Sequence, residues 1–237
     1  MDLRTLTEGG YGPFISQGLD RPQLTNQEVL KAMSRVARHL FVPSEVSRFA
    51  YEDRALAIGK RQTISQPYIV ALMTQEAGIS QGSKVLEIGT GSGFQAAVLA
   101  ELGARVFSVE IISSLADEAK ERLERLGYVN VTVRQGDGWK GWEEEAPFDA
   151  ILVTAAAPRP PRELISQLAN GGKMVIPIED ENTDGEILMV IEKRGDDLIT
   201  RDLGLVRFVP ITGTAREREE NKQSSDSDDD DNDANDE

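Results

Sequence analysis

The sequence predicts an α/β fold built on a doubly wound parallel sheet, with a helical extension before it and an antiparallel edge after it. Three observations carry this expectation. Lys84 to Ala100 reads as a buried strand, a glycine turn and a helix; strand and helix then alternate as far as Ile178; and beyond Gly185 two strands follow one another with no long helix between them. Such alternation implies parallel strands joined by right-handed crossovers, with ligands bound beyond the carboxyl ends of the strands.

Residues 1–23 hold Gly9, Gly10, Gly12, Pro13 and Gly18 without a sustained period and form a lead-in. Thr25-Asn-Gln-Glu28 matches a capping box, and Val29, Met33, Val36 and Leu40 follow at helical spacing, so a first helix is expected from about Asn26 to His39. His39, near its end, reads as a structural cation favoured by the helix dipole. Pro67 suits the first turn of a second helix, with Ile69, Leu72 and Met73 as its apolar stripe and Gly78 as its stop. Thr63 and Ser65 would lie on the loop entering that helix, where free amides suit an anion; the alternative is that Ser65 caps the helix.

Val85, Leu86 and Ile88 make the apolar run of a central parallel strand. Gly89, Gly91 and Gly93 let the chain turn tightly and a ligand approach the main chain. The next helix carries Phe94, Ala97, Val98 and Leu102 and stops at Gly103. Arg105 to Glu110 is a strand ending in an acid, Ser113 to about Leu126 a helix, and Asn130 to Gln135 a strand ending at Gly136-Asp137-Gly138. Phe148 to Val153, a helix from Pro158 to about Leu168, and a strand from Lys173 to Ile178 continue the rhythm. Glu186 to Lys193 and Leu198 to Val209 form the antiparallel edge.

Composition narrows the function. A chain of 237 residues with 39% apolar content can bury one substantial core. No stretch reads as a transmembrane span, and Met1 to Glu8 lacks the apolar core of a signal peptide, so the expected place is the cytoplasm, away from membranes. With no cysteine and one histidine, no metal site is expected. The net charge is −15, of which Gln223 to Glu237 carries eight acids and no base, leaving −7 for the rest. That tail is expected to be disordered, and the remaining negative charge argues against nucleic acid as a partner.

The chemistry-bearing residues gather at one sheet edge. Glu110 ends a strand where an acid can accept hydrogen bonds from both ribose hydroxyls, and Asp137 ends the next, within reach of an adenine amino group. With Gly89, Gly91 and Gly93 they describe an adenosine pocket. The nicotinamide fingerprint G-x-G-x-x-G would need glycine where Phe94 stands.

Several segments together resemble the protein-L-isoaspartate O-methyltransferases: Phe41-Val-Pro43, Gln62-Thr-Ile-Ser-Gln-Pro-Tyr68, Val85-Leu-Glu-Ile-Gly-Thr-Gly-Ser-Gly93, Gly136-Asp-Gly-Trp-Lys-Gly-Trp142, Ala146-Pro-Phe-Asp149 and Val206-Arg-Phe-Val-Pro210. The resemblance runs from about Leu24 to Gly213. It implies a Rossmann-like sheet in one methyltransferase domain over 24–215, with 24–80 on the substrate side and 81–215 on the cofactor side, and 216–237 as the tail. It further implies that S-adenosylmethionine methylates the free α-carboxyl of L-isoaspartyl residues, that the ester closes to a succinimide, and that this reopens partly to aspartate. On this likeness Ser65 is the active-site hydroxyl, and Thr63, Ile64, Val206, Phe208 and Val209 line the substrate cleft. Glu87, Gly89, Gly91, Gly93, Glu110, Asp137 and Gly138 hold the cofactor, and the partners are isoaspartyl proteins and peptides; apart from the likeness, the chain is expected to be a monomer. Phe94 stands where many members have tyrosine, and residues 1–23 and the tail fall outside the pattern. An amine methyltransferase would share the cofactor pocket, but Thr154-Ala-Ala-Ala-Pro158 offers nothing to hold an amino group. A cofactor-binding scaffold that uses its acidic tail as an arm is the non-enzymatic alternative.

Overall fold

The computed structural model describes residues 22–213; the acidic tail and nearly all of the lead-in lie outside the described residues. Helix α1 (Gln27–Arg35) opens the description. Its cap is Asn26, whose Oδ1 accepts from the Glu28 and Val29 amides at 3.0 and 3.2 Å, one residue beyond the expected Thr25. The helix also stops four residues short of His39, because Val36 turns extended and the chain continues as a 3₁₀ turn over Arg38–Phe41. This choice buries Val36, Arg38 and Phe41 and leaves Leu40 exposed, where the helical period had Leu40 inside. The buried Arg38 Nε donates to the Ala50 carbonyl at 2.8 Å, and its guanidinium lies 4.8 Å from the centre of the Phe94 ring. His39 Nδ1 meets the Tyr51 hydroxyl at 2.5 Å, a structural role.

A two-stranded hairpin follows, β1 (Leu56–Gly59) and β2 (Gln62–Ile64), in a stretch without strand signals. Thr63 therefore lies on a strand and not on a loop; its partner across the hairpin is Ala57. Helix α2 (Pro67–Glu76) starts at Pro67 as expected, but Ser65 is not its cap. Asp53 does that work from a distance: one oxygen accepts the Tyr68 amide at 2.9 Å and the other the Gln66 side-chain amide at 2.9 Å. Asp53 also lies close enough to the buried Arg38 to interact with its charge. Asp53→Ala should therefore cost about 2 kcal/mol, a cap plus an ion's counter-charge, and lower Tm by roughly 4–8 °C. A calorimetric scan with unchanged Tm would remove Asp53 from this role.

Seven strands form the main sheet: β3 (Lys84–Ile88), β4 (Arg105–Glu110), β5 (Val131–Gln135), β6 (Phe148–Val153), β7 (Leu168–Glu179), β8 (Glu186–Arg194) and β9 (Asp197–Val206). Their order is β5-β4-β3-β6-β7-β8-β9. The strands from β5 to β7 run parallel, and β8 and β9 are antiparallel, as expected of the edge. Helices α3 (Phe94–Glu101), α4 (Ser113–Arg125) and α5 (Arg162–Gln167) accompany the parallel strands. α5 is shorter than expected, because the chain enters β7 already at Leu168 before regular pairing resumes at Lys173. β9 also ends three residues early, at Val206, for a reason that belongs to the site.

Alternation along β3 sorts the core. Val85 packs on one face with Phe94, Val98 and α2, while Leu86 and Ile88 pack on the other with Trp139, Phe148 and Ile151. Because the chain runs from β3 to β4 and β5 on one side and returns to β6 on the other, the order reverses between β3 and β6. Beyond the carboxyl ends of those two strands a crevice is built into the topology.

Candidate active site

The crevice is present as a cleft of about 600 Å³, counting its solvent-open part. It is lined by Gly89 and Gly91 of the glycine turn, by Glu110 with Ile111 and Ile112 past β4, and by Gly138 past β5. Thr154 and Ala155 past β6, Val209 to Thr212, and Gln62 and Thr63 of the hairpin complete it.

The glycine turn is held open by its packing. Gly89 has φ +92°, and a Cβ there would sit 2.5 Å from the Thr154 hydroxyl, which itself donates to the Ile88 and Gly89 carbonyls at 2.9 and 2.7 Å. A side chain at Gly138 would run into Ile88. Main chain is thus exposed to the cleft at both places. Glu110 is almost fully buried; its Oε2 accepts the Gly91 amide at 2.8 Å and its Oε1 the Ile112 amide at 3.0 Å. A carboxylate offers about four acceptor positions, so two remain for hydroxyl donors in the cleft. These residues fit a nucleoside ligand.

Glu87 lies elsewhere. It is fully buried on the face of β3 that carries Phe94, beneath the turn, and does not line the cleft. Its Oε2 accepts from the Ser108 hydroxyl at 2.5 Å, and Ser108 meets the Thr90 hydroxyl at 2.5 Å, so a chain of three polar groups ties β3 and β4 to the turn. Among the described residues its Oε1 makes no hydrogen bond of normal geometry. Burial pushes the carboxyl up to about 8; the Ser108 bond opposes this and the neighbouring Glu110 adds to it.

The remaining expected residues divide. Gly93, with φ +86°, caps α3 and packs on Leu123 and Ala119 without reaching the cleft. Asp137 stands beside Gly138, where its Oδ1 accepts the Trp139 amide at 3.0 Å and Gly213 packs against its carboxyl group. Thr63 and Val209 line the cleft, whereas Ile64 and Val206 are buried and Phe208 is packed on the same core cluster. Ser65 is half-buried, two residues from Thr63, and among the described residues its hydroxyl makes no hydrogen bond. β9 stops at Val206 because the chain leaves the sheet to cross the tip of β6: Ala156 donates to the Val209 carbonyl at 2.8 Å and accepts from the Ile211 amide at 2.7 Å.

The sequence reading missed Ile111, Ile112, Thr154, Ile211 and Thr212. The apolar pair directly after the strand-ending acid was a usable signal for the first two. Thr154 and the crossing segment gave none, because their place depends on which strands become neighbours.

A parallel sheet with a glycine turn after its first strand, an acid at the end of the second and a cleft where the order reverses defines a Rossmann-like methyltransferase fold. A solved protein-L-isoaspartate O-methyltransferase shares it at a TM-score of 0.78 and 30% identity, over 84% of this chain and 65% of that one. A protein from Plasmodium falciparum described as such an enzyme, and solved with S-adenosyl-L-homocysteine, matches at a TM-score of 0.69 and 26% identity over 79% of this chain and 91% of that one. The protein-L-isoaspartate O-methyltransferase of Gloeobacter violaceus is 53% identical over 186 residues, 78% of this chain and 90% of the relative. That of Dictyoglomus thermophilum is 52% identical over 80% and 86%. The family model described as "Protein-L-isoaspartate(D-aspartate) O-methyltransferase (PCMT)" matches residues 15–216. The chain belongs to that family, and the match begins within the lead-in, nine residues before Leu24, where the sequence reading placed the start of its pattern.

Proposed function

We infer that the chain is a protein repair enzyme that transfers a methyl group from S-adenosylmethionine to the free α-carboxyl of L-isoaspartyl residues. The observation that carries the reading is the cleft itself, whose lining brings Glu110 and the glycine turn together with the Gln62–Thr63 strand. The first suits a nucleoside, the second a peptide. In this reading Gly89, Gly91, Glu110 and Gly138 hold the cofactor directly, with Glu87, Gly93 and Asp137 supporting the turn and the rim. Thr63, Val209 and Ser65 face the substrate, with Ile64, Val206 and Phe208 as their packing. Residues 24–80 then form the substrate side and 81–215 the cofactor side.

When bound, the cofactor supplies an electrophilic methyl on a sulfonium, which a carboxylate takes as the carbon–sulfur electron pair returns to sulfur. A carboxyl with an ordinary pKa of about 4 is ionised at neutral pH, so no side chain has to remove a proton. The protein's part is to position. Holding two reactants in near-attack geometry can account for roughly 7–11 kcal/mol of the barrier. The Ser65 hydroxyl, free of capping duty because Asp53 caps α2, orients the carboxylate as a donor. The ester then closes to a succinimide outside the enzyme. The partners are isoaspartyl proteins and peptides, and we read the chain as a monomer of the cytoplasm; light scattering on the purified protein tests the monomer.

The test of function is transfer of labelled methyl to an isoaspartyl peptide and to its aspartyl twin. The two differ by one methylene in the main chain, and a site that works by positioning responds to shifts of about 1 Å with roughly 100-fold losses. Equal rates on both would refute repair. Ser65→Ala should lower turnover on the isoaspartyl peptide about tenfold or more and leave S-adenosylhomocysteine affinity intact; an unchanged rate would return Ser65 to packing.

A further inference from the structure

The β1–β2 hairpin closes with Lys60 and Arg61 as its two-residue loop, Gly59 pairing with Gln62 across it. Both residues have positive φ, 52° and 60°, and among the described residues they are the only non-glycine positions that do. A tight hairpin turn of this hand favours Asn-Gly, because L side chains strain the left-handed backbone. Here the turn carries two cations instead. Both side chains are exposed, and among the described residues neither has an ion-pair partner, in contrast to Arg201 with Glu76 and Arg207 with Asp184. The next two residues, Gln62 and Thr63, line the cleft, so an unneutralised double positive charge stands at its rim in a chain of net charge −15. Charge held at a position the backbone disfavours points to a use for it.

We propose that the Lys60–Arg61 tip receives an acidic stretch of the damaged protein next to the isoaspartyl residue, so that this enzyme favours damage sites with acidic neighbours. The proposal rests on the functional reading above. The geometry gives the preference a local source: the tip leads directly into the strand that lines the substrate side. Exposed charge pairs are individually weak, but two in register with an incoming chain raise capture, and salt screens them.

The experiment uses three isoaspartyl peptides of one length, flanked by glutamate, glutamine or lysine, with the full chain and with K60N/R61G. That variant installs the residues the turn prefers, so the hairpin is kept and Tm should not fall. The native enzyme should favour the glutamate-flanked over the lysine-flanked peptide by roughly three- to tenfold in kcat/KM at low salt. The gap should vanish near 1 M salt, where the Debye length is about 3 Å. The variant should treat the two alike and the glutamine-flanked peptide as the native enzyme does. A native enzyme without preference, one favouring lysine, or a preference that survives in the variant overturns the proposal. So does a preference that emerges only after Gln223–Glu237 is removed, since the chain's own acids would then occupy the tip. Failure to methylate even the glutamine-flanked peptide would instead bring down the functional reading beneath it.

Discussion

Replacing Glu110 by alanine should weaken binding of S-adenosylhomocysteine by roughly 30- to 1,000-fold, about 2–4 kcal/mol. The carboxylate is asked to do two things at once. It accepts the Gly91 and Ile112 amides, which ties the turn to the end of β4, and in the proposed reading its remaining acceptor positions take the ribose hydroxyls. Alanine leaves both amides without their acceptor and takes away the ribose contact proposed for Glu110. Glu110→Gln should be nearly as damaging, since its NH₂ end must face one of two amide donors. Asp137→Ala should weaken binding less, because its carboxyl is partly spent on Trp139. Titration calorimetry is the measurement, and native affinity in Glu110→Ala would take Glu110 out of the pocket.

The second large effect concerns Glu87 and pH. Its carboxyl keeps a proton in the folded protein up to about pH 8, whereas an ordinary glutamate loses it near 4.5. Between those values the unfolded chain binds fewer protons than the folded one, so the folded state loses stability as pH rises across the window. The penalty stops growing above about 8. At about 1.4 kcal/mol per pH unit this amounts to a few kcal/mol. Glu87→Gln preserves the shape and an acceptor for Ser108 without titrating. The variant should match the native protein near pH 4.5 and surpass it progressively toward pH 8, by a few kcal/mol in urea unfolding. A stability difference that stays constant from pH 5 to 8 would show that Glu87 is ionised in the fold.

Most of the sheet was legible because its signals are local. Val85 to Ile88, the three glycines and the strand-ending Glu110 and Asp137 each announce themselves within a few residues, and the order of strand and helix fixes which sheet end they share. The hairpin was not legible, because Lys60 and Arg61 stand where Asn-Gly would have marked the turn. α1 was read too long because the buried guanidinium of Arg38, satisfied by the distant Ala50 carbonyl, outweighs a helical period that would have kept Leu40 inside. In the site, period-two alternation turns Glu87 to the face of β3 that carries Phe94, outside the lining of the cleft. Thr154 and the segment after Val206 reach the cleft only through the neighbouring of strands far apart in the chain, which no local pattern records.

The segment that crosses the tip of β6 also sets a timetable. Val209 to Thr212 supplies one side of the cleft and is fastened there by Ala156. A chain still on the ribosome has its glycine turn, Glu110 and its parallel strands long before Thr212 has emerged, and until then the cleft lacks part of its lining. The cofactor therefore gains its full grip only after nearly all of the catalytic chain has been made.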